Sequence, residues 1–284
     1  MGDNPALDLD HLRTWIGREE TATELVTAAL VQRYRATFDE EPGAPADGEV
    51  APRFIHLCLA QPAAMTRALG PDGHPARGGF LPPVPLPRRM WAGGELTFRE
   101  ELRVGDTMRR TSRVEDLTVK EGRTGTLCFV TVLHTITAGE RTVLTERQDI
   151  VYRGLDAPGA SPRALPAAAD GRFRREVDPS AALLFRYSAL TFNGHRIHYD
   201  NPYVTRVEGY PGLVVHGPLQ ATLLYRFAAE LLGAPPARFS FRGLSPLFDT
   251  APFFLHAEET GAGTLKLWSA AGGGPEAMVA QADR

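Results

Sequence analysis

Apolar positions along this 284-residue chain recur first at helical spacing, then at strand spacing, and the same succession starts again after the middle. Leu12, Trp15 and Ile16 lie on one helical face within residues 8–20, and Gly17 stops the pattern. Thr27 suits the N-cap of a second helix that carries Leu30, Tyr34 and Phe38 on one side. Residues 40–49 form a polar loop. Ile55, Leu57, Cys58, Leu59, Met65 and Leu69 then predict a buried helix over Phe54–Leu69, with Pro62 placed to kink or split it. Residues 70–89 are dense in Pro and Gly and fit no regular element; they are predicted to lie across a surface or a cleft mouth.

From Met90 the period changes to two. Strands are predicted over Trp91–Phe98, Met108–Lys120, Thr126–Ile136 and Thr142–Tyr152, the third rich in β-branched and aromatic residues. Residues 155–170 have the Pro, Ala and Gly composition of a linker. Beyond it, Leu184–Leu190 reads as a short strand and Pro218–Leu232 as a helix ended by Gly233. Four more strands follow, near Phe239–Leu244, Phe253–Glu259, Thr264–Ala270 and Ala277–Ala282. The helix is apolar on nearly every side (Leu219, Leu223, Leu224, Phe227, Ala228, Leu231, Leu232), so it must be wrapped. An antiparallel sheet curled around one helix is the simplest wrapper, an α+β layer. The repeated order of elements suggests two such units, with residues 1–154 as the first, 155–177 as a linker and 178–284 as the second.

Composition narrows the partners rather than the fold. A net charge of −3 without a basic cluster argues against nucleic acid. No apolar run reaches membrane-spanning length, and residues 1–10 lack a secretory signal. The two cysteines, Cys58 and Cys128, sit in apolar runs and are expected to be buried free thiols in a reducing, cytoplasmic setting.

Chemistry concentrates in Leu190–Tyr225. This stretch holds three of the eight histidines, His195, His198 and His216, together with Asn193, Arg196 and Asp200, and it leads directly into the apolar helix. Titratable groups placed before a helix N-terminus suit a reaction site, because the first-turn N–H groups and the helix dipole favour negative charge there. Gly217 and Pro218 open the helix: glycine leaves its N–H unobstructed, and proline suits the first turn. His195 and His198 are three apart, but no third ligand of suitable spacing follows, so no metal is expected. His56, His134 and His256, alone in apolar segments, read as structural.

Four segments carry a resemblance over nearly the whole chain: Thr191–Asp200 (TFNGHRIHYD), Gly209–Gly217 (GYPGLVVHG), Leu12–Arg18 (LRTWIGR) and Pro87–Gly93 (PRRMWAG). They resemble the MaoC-like double-hotdog hydratases, and among these the group of mesaconyl-CoA and itaconyl-CoA hydratases and type 2 hydroxyacyl-thioester dehydratases. The resemblance implies a double hotdog fold with a degenerate first unit, one active site in the second, no cofactor, and a monomer or homodimer of such chains acting on an acyl-CoA. In the wider family a motif Gly-Asp-x-Asn-Pro-(Ile/Leu)-His holds and activates a water. Laid on this chain, the final His falls on His198, the Asp on Asn193, the Asn on His195 and the Pro on Arg196.

This implies His198 as general base, Asn193 orienting water through its amide, and His195 or Asp200 compensating for the lost carboxylate; for Asp200, orienting the loop is favoured over catalysis. Gly217, with His216 before it, is the implied oxyanion site for the thioester oxygen. Arg196 stands where it either pairs with a substrate carboxylate or bridges to Asp200. Arg88 and Arg89 either reach a CoA phosphate or are solvated. The expected activity is a hydro-lyase on a 2-enoyl or 3-hydroxyacyl thioester, with a small branched dicarboxylic acyl-CoA first and a fatty acyl thioester second. A thioesterase and a non-catalytic acyl-CoA-binding protein are the readings from other classes.

Overall fold

A computed structural model describes residues 7–122, 125–154 and 165–284. Two short helices, α1 (Leu9–Arg13) and α2 (Ala28–Thr37), flank the strand β1 (Glu19–Leu25). Four longer strands follow: β2 (Arg88–Phe98), β3 (Thr107–Gly122), β4 (Gly125–Ala138) and β5 (Arg141–Arg153). The second half comprises β6 (Phe173–Val177), α3 (Ala181–Leu190), α4 (Asn201–Arg206), α5 (Gly217–Leu232) and the strands β7 (Arg238–Gly243), β8 (Phe253–Gly261), β9 (Thr264–Ala271) and β10 (Glu276–Asp283). Among the described residues, no helix is long and apolar enough to cross a membrane.

All ten strands join one antiparallel sheet in the order β1-β3-β4-β5-β2-β7-β10-β9-β8-β6. Read outward from its centre, each half has the same topology. Its second strand lies at the seam, its last three run inward to that strand as a meander, and its first closes the edge. The duplication expected from element order is therefore written in the pairing. Strand β2 approaches both neighbours closely: across the seam a Cβ on Gly93 would stand 2.8 Å from the Phe241 carbonyl oxygen of β7, and toward β5 one on Gly94 would stand 2.4 Å from that of Arg147. Only glycine fits there.

The apolar helix forms where its composition places it. It starts at Gly217, ends on a left-handed Gly233 (φ 67°), and packs on β2, β7, β8, β9 and β10. Leu219, Ala221, Leu224 and Ala228 on it are wholly buried. A second, smaller core gathers Leu12, Val84 and Leu86 against Val114, Leu117, Cys128, Val130, Val132 and Tyr152. Its β4 members follow a period of two, so one face of that strand is covered by α1 and the Pro-rich segment. The guanidinium of Arg77 stitches that segment down through the carbonyls of Val84, Leu86 and Pro87.

Several expectations are corrected. Phe54–Leu69 is not a helix but two 3₁₀ turns, Ile55–Cys58 and Thr66–Ala68. Phe54 and Ala60 both adopt left-handed backbone (φ 71° and 53°), and Pro62 disfavours helix before it. Tertiary contacts hold this shape: the Ala60 N–H donates to Glu24 and its carbonyl accepts from Arg110. Among the described residues, the first half thus has no counterpart of α5. Leu184–Leu190 belongs to a helix, not a strand; α3 begins earlier, capped by Ser180, whose Oγ accepts the Leu183 N–H. Two polar edge strands, β1 and β6, escaped the period-two reading. Residues 173–177, taken as linker, are β6; residues 155–164 lie outside the described residues. Cys58 and Cys128 are free and buried, and burial pushes their thiols up to about 12 and about 11.

Candidate active site

The site loop hangs from the end of α3. Thr191 and Asn193 donate their N–H groups back to the carbonyls of Tyr187 and Ser188, and Phe192 between them turns left-handed at φ 49°. Asn193 Oδ1 accepts the His195 N–H at 3.0 Å, which closes a local turn and sets the direction of the next residues. His198 follows on a 3₁₀ turn, Arg196–His198, and is 7% exposed. Its Nδ1 lies 2.7 Å from the Val214 carbonyl oxygen. A carbonyl only accepts, so Nδ1 carries the proton and Nε2 keeps a lone pair. Val214 in turn donates its N–H to the Ile197 carbonyl, so ring and backbone are clamped to the same short segment.

His216 stands behind this ring. Its ring stacks on that of His198, with centroids 3.6 Å apart and planes 18° apart. Its Nε2 meets Ser188 Oγ at 2.8 Å. It caps nothing with its side chain. Burial, more than the neighbouring imidazoles, holds His216 well below the ordinary histidine range, and burial likewise pushes His198 down to about 4. Both rings are neutral at neutral pH. One residue on, α5 begins. Its first N–H, on Gly217, has no helical carbonyl behind it. The Trp91 ring lies over Gly217, so a Cβ there would stand 3.1 Å from Trp91 Cε3. Trp91 itself stacks on Phe241 (4.2 Å, 26°). Asn193, His195, His198, Gly217, Trp91, Arg88 and Arg89 all line one cavity of about 2200 Å³. The Pro-rich residues 75–82 form part of its wall, as their composition suggested.

Arg196 and Asp200 do not line this cavity. Arg196 Nε and Nη2 both donate to Asp200 Oδ2, at 2.9 and 2.8 Å, and Nη1 donates to the Pro71 carbonyl. The guanidinium also lies over the Tyr203 ring, 4.0 Å from its centre. Asp200 Oδ1 accepts the Tyr203 N–H and so caps α4. Its hydrogen bonds with Arg196 hold its carboxyl below the usual range. Of the two expectations for Arg196, this arrangement displays the bridge to Asp200, and neither side chain lines the cavity.

Two titratable groups at the cavity were not assembled by the sequence reading, which took His56 and His134 as structural and did not single out Asp72, His74 or Glu146. The first is Asp72 and His74, from the Pro-rich segment of the first half. His74 Nδ1 lies 3.1 Å from Asp72 Oδ2, and its ring centroid lies 4.0 Å from that of His195. His74 also lines the cavity. Asp72, His74 and His195 are the one trio among the described residues whose ligand atoms lie within 4.8 Å of one another, the spacing a cation would need. Asp72 and His74 already bond each other. The second group is His56, His134 and Glu146 on the first-half wall. Glu146 Oε2 lies 3.4 Å from His56 Nε2, and His134 Nδ1 lies 2.8 Å from Ser112 Oγ. A period-two pattern marks His134 and Glu146 as inward but cannot pair them, since they meet across neighbouring strands. His256, by contrast, is structural: it stacks on Trp268 (5.4 Å, 11°) and accepts the Gly171 N–H.

Comparison with known proteins bears on the lineage and the fold. Residues 54–249 match the sequence profile of the family described as hydroxyacyl-thioester dehydratase type 2. The chain is 47% identical over 249 residues to the mesaconyl-C(4)-CoA hydratase of Chloroflexus aurantiacus, covering 87% of this chain and 89% of that protein. Among solved structures, a MaoC-like dehydratase of Phytophthora capsici superposes with a TM-score of 0.70 at 16% identity, covering 98% of this chain and 99% of that one. A Mycobacterium tuberculosis protein described as having a double hotdog fold matches with a TM-score of 0.53 at 17% identity, covering 94% and 95%. At these identities the two structures speak for the fold alone, which is the double hotdog, an α+β arrangement. The sequence match carries the lineage, and the chain belongs to the hydroxyacyl-thioester dehydratase type 2 family.

Proposed function

We propose that the protein is a hydro-lyase that adds water across the double bond of a 2-enoyl-CoA thioester, needing no cofactor. The observation that carries this reading is the juxtaposition of a locked, neutral His198 with the open N-terminus of α5 in one cavity. His198 Nε2 takes a proton from water as the water oxygen bonds to the β-carbon. The π pair moves onto the thioester oxygen, where the Gly217 N–H and the helix dipole meet the developing negative charge. The imidazolium then returns its proton to the α-carbon, so the net change is addition of H and OH. Neutral His198 is ready for this at physiological pH because burial has already removed its proton.

A small dicarboxylic acyl group is the substrate class we assign, as in the mesaconyl-C(4)-CoA named for the relative. Its free carboxylate sits on the β-carbon, so a cation must stand beside the water-activating group. Arg89 fits that place: it lines the cavity, and its charge bears on both His74 and His195. A thioesterase would need a carboxylate near the start of α5. Gln220 there is held by Ser269 and Val215, and Glu230 pairs with Arg175 near the far end.

Purified protein is assayed for hydration of mesaconyl-CoA and crotonyl-CoA, with free thiol monitored in parallel. Faster hydration of the dicarboxylate is expected, with loss of about a hundredfold or more in kcat for His198→Gln. Release of thiol as the main reaction would replace the reading with a hydrolase; binding of both thioesters without turnover would replace it with a binding protein.

A further inference from the structure

The loop that carries Asp72 and His74 is docked on the site loop with unusual closeness. A Cβ on Gly73 would stand 1.9 Å from the Gly194 carbonyl oxygen, and one on Gly194 would stand 2.9 Å from that of Gly73. Both positions therefore require glycine. Two hydrogen bonds clamp the contact: the Arg196 N–H donates to the Asp72 carbonyl at 2.9 Å, and Arg196 Nη1 donates to the Pro71 carbonyl. Within the loop, Gly70 and His74 close a tight turn through Gly70 N–H to the His74 carbonyl at 2.7 Å. The whole arrangement brings one carboxylate and one imidazole from the first half against His195 of the second.

The local bonding fixes the protonation pattern. Asp72 Oδ1 accepts the His74 backbone N–H at 3.0 Å, and Oδ2 faces His74 Nδ1 at 3.1 Å. These bonds hold the Asp72 carboxyl far below its ordinary range, so it is ionised. An ionised carboxylate only accepts, so it selects the tautomer with the proton on Nδ1 and the lone pair on Nε2. Burial keeps the His74 ring neutral. His74, His195 and His198 thus form a file of imidazoles along the cavity, with centroid separations of 4.0 and 5.4 Å. A proton arriving on His198 lands in this file, where a single carboxylate offsets it.

We propose that Asp72 and His74 complete the water-activating site from the other half of the chain: Asp72 is a positioning residue that sets the His74 tautomer, and His74 Nε2 is the second acceptor for the attacking water. This rests on the hydratase reading above. Water donates one O–H to His198 Nε2, which takes the proton, and the other to His74 Nε2, which only orients it. The first half then contributes chemistry as well as sheet.

Asp72→Asn tests this cleanly. Asn keeps Oδ1 for the His74 backbone N–H and leaves the Gly73–Gly194 contact untouched, but it turns an NH₂ toward His74 Nδ1. The tautomer must flip to Nε2–H, and the second acceptor is lost. Imidazole ¹⁵N spectra of wild type should show His74 protonated on Nδ1, and those of the variant on Nε2. The variant should fold with an unchanged melting temperature, keep KM within about threefold, and lose about thirtyfold or more in kcat. His74→Gln, which leaves the Asp72 side chain bonded to the backbone of the loop, should show the same split and serves if Asp72→Asn misfolds. A flipped tautomer with kcat within twofold of wild type overturns the proposal. So does loss of kcat without a flip, or inactivation by a chelator with recovery on adding a divalent metal, which would make the trio a cation site. If wild type hydrates no enoyl thioester, the hydratase reading has failed on its own. The proposal then falls unless a non-hydrolysable acyl-CoA analogue perturbs the His74 Nε2 signal.

Discussion

His216 lies flat against His198 at 3.6 Å and hangs from Ser188 Oγ by its Nε2, so the His198 ring is held from behind by a side chain that does not itself line the cavity. Among the described residues, its Nδ1 has no partner. Ser188→Ala would remove the remaining hydrogen bond of a buried ring, at a cost of about 1–3 kcal/mol. The expected result is a lower melting temperature and a reduced kcat with KM little changed. A drop in stability without any change in kcat would mean that the stack does not orient His198.

The pH dependence follows from the buried imidazoles. His198 is pushed down to about 4, and His195 and His216 are also lowered, burial being the leading cause in each. The base is therefore already deprotonated well below neutrality. The acid limb of kcat should lie near pH 4 rather than near the ordinary histidine value of about 6.5. Stability has the matching sign. These groups are neutral in the fold and take protons on unfolding, so stability is full above about pH 6.5 and falls as pH drops toward about 4. Melting temperatures measured from pH 8 to pH 4 check this.

Gly217→Ala would place a methyl 3.1 Å from Trp91 Cε3, at the mouth of the N–H assigned to the thioester oxygen. The ring must shift by a few tenths of an ångström or the helix start must move. We expect kcat to fall by about tenfold or more, since removing one oxyanion donor costs about 10²–10³. Stability should change little. Trp91→Phe on the same background, with a smaller ring, should restore part of the rate.

Arg196→Ala separates bracing from recognition. Its guanidinium serves Asp200, Pro71 and the Tyr203 face. The change should lower stability by about 1 kcal/mol and slow both substrates alike, leaving the mesaconyl-to-crotonyl ratio unchanged. Arg89→Ala should instead lower that ratio selectively, which steady-state kinetics on the two thioesters would reveal.

Much of the site was legible because it is local. Asn193, His195, His198, His216 and Gly217 fall within one stretch of 25 residues, and the helix that receives them announces itself by being apolar all round. Eight strands were legible by their period of two. The edge strands β1 and β6 were not, because a strand with one neighbour and an exposed face has no apolar alternation to display; β1 pairs only with β3, and β6 only with β8. Phe54–Leu69 looked helical because its apolar residues are buried, but the backbone turns that bury them are set by Glu24 and Arg110 from other strands.

By itself, then, the sequence determined the strands of the second half, its central helix, and which candidate side chains stand on the loop before it, since all of these rest on spacings within a few turns of chain. Tertiary structure alone decided the rest. It chose the bridge to Asp200 between the two readings of Arg196 and left both side chains off the cavity, hung His216 behind His198, and set Asp72 and His74 of one half against His195 of the other. Those relations join residues as much as 120 or so positions apart, through carbonyls, glycine contacts and ring faces. Such groups leave no periodicity in a sequence, because what specifies them is the position of another part of the chain.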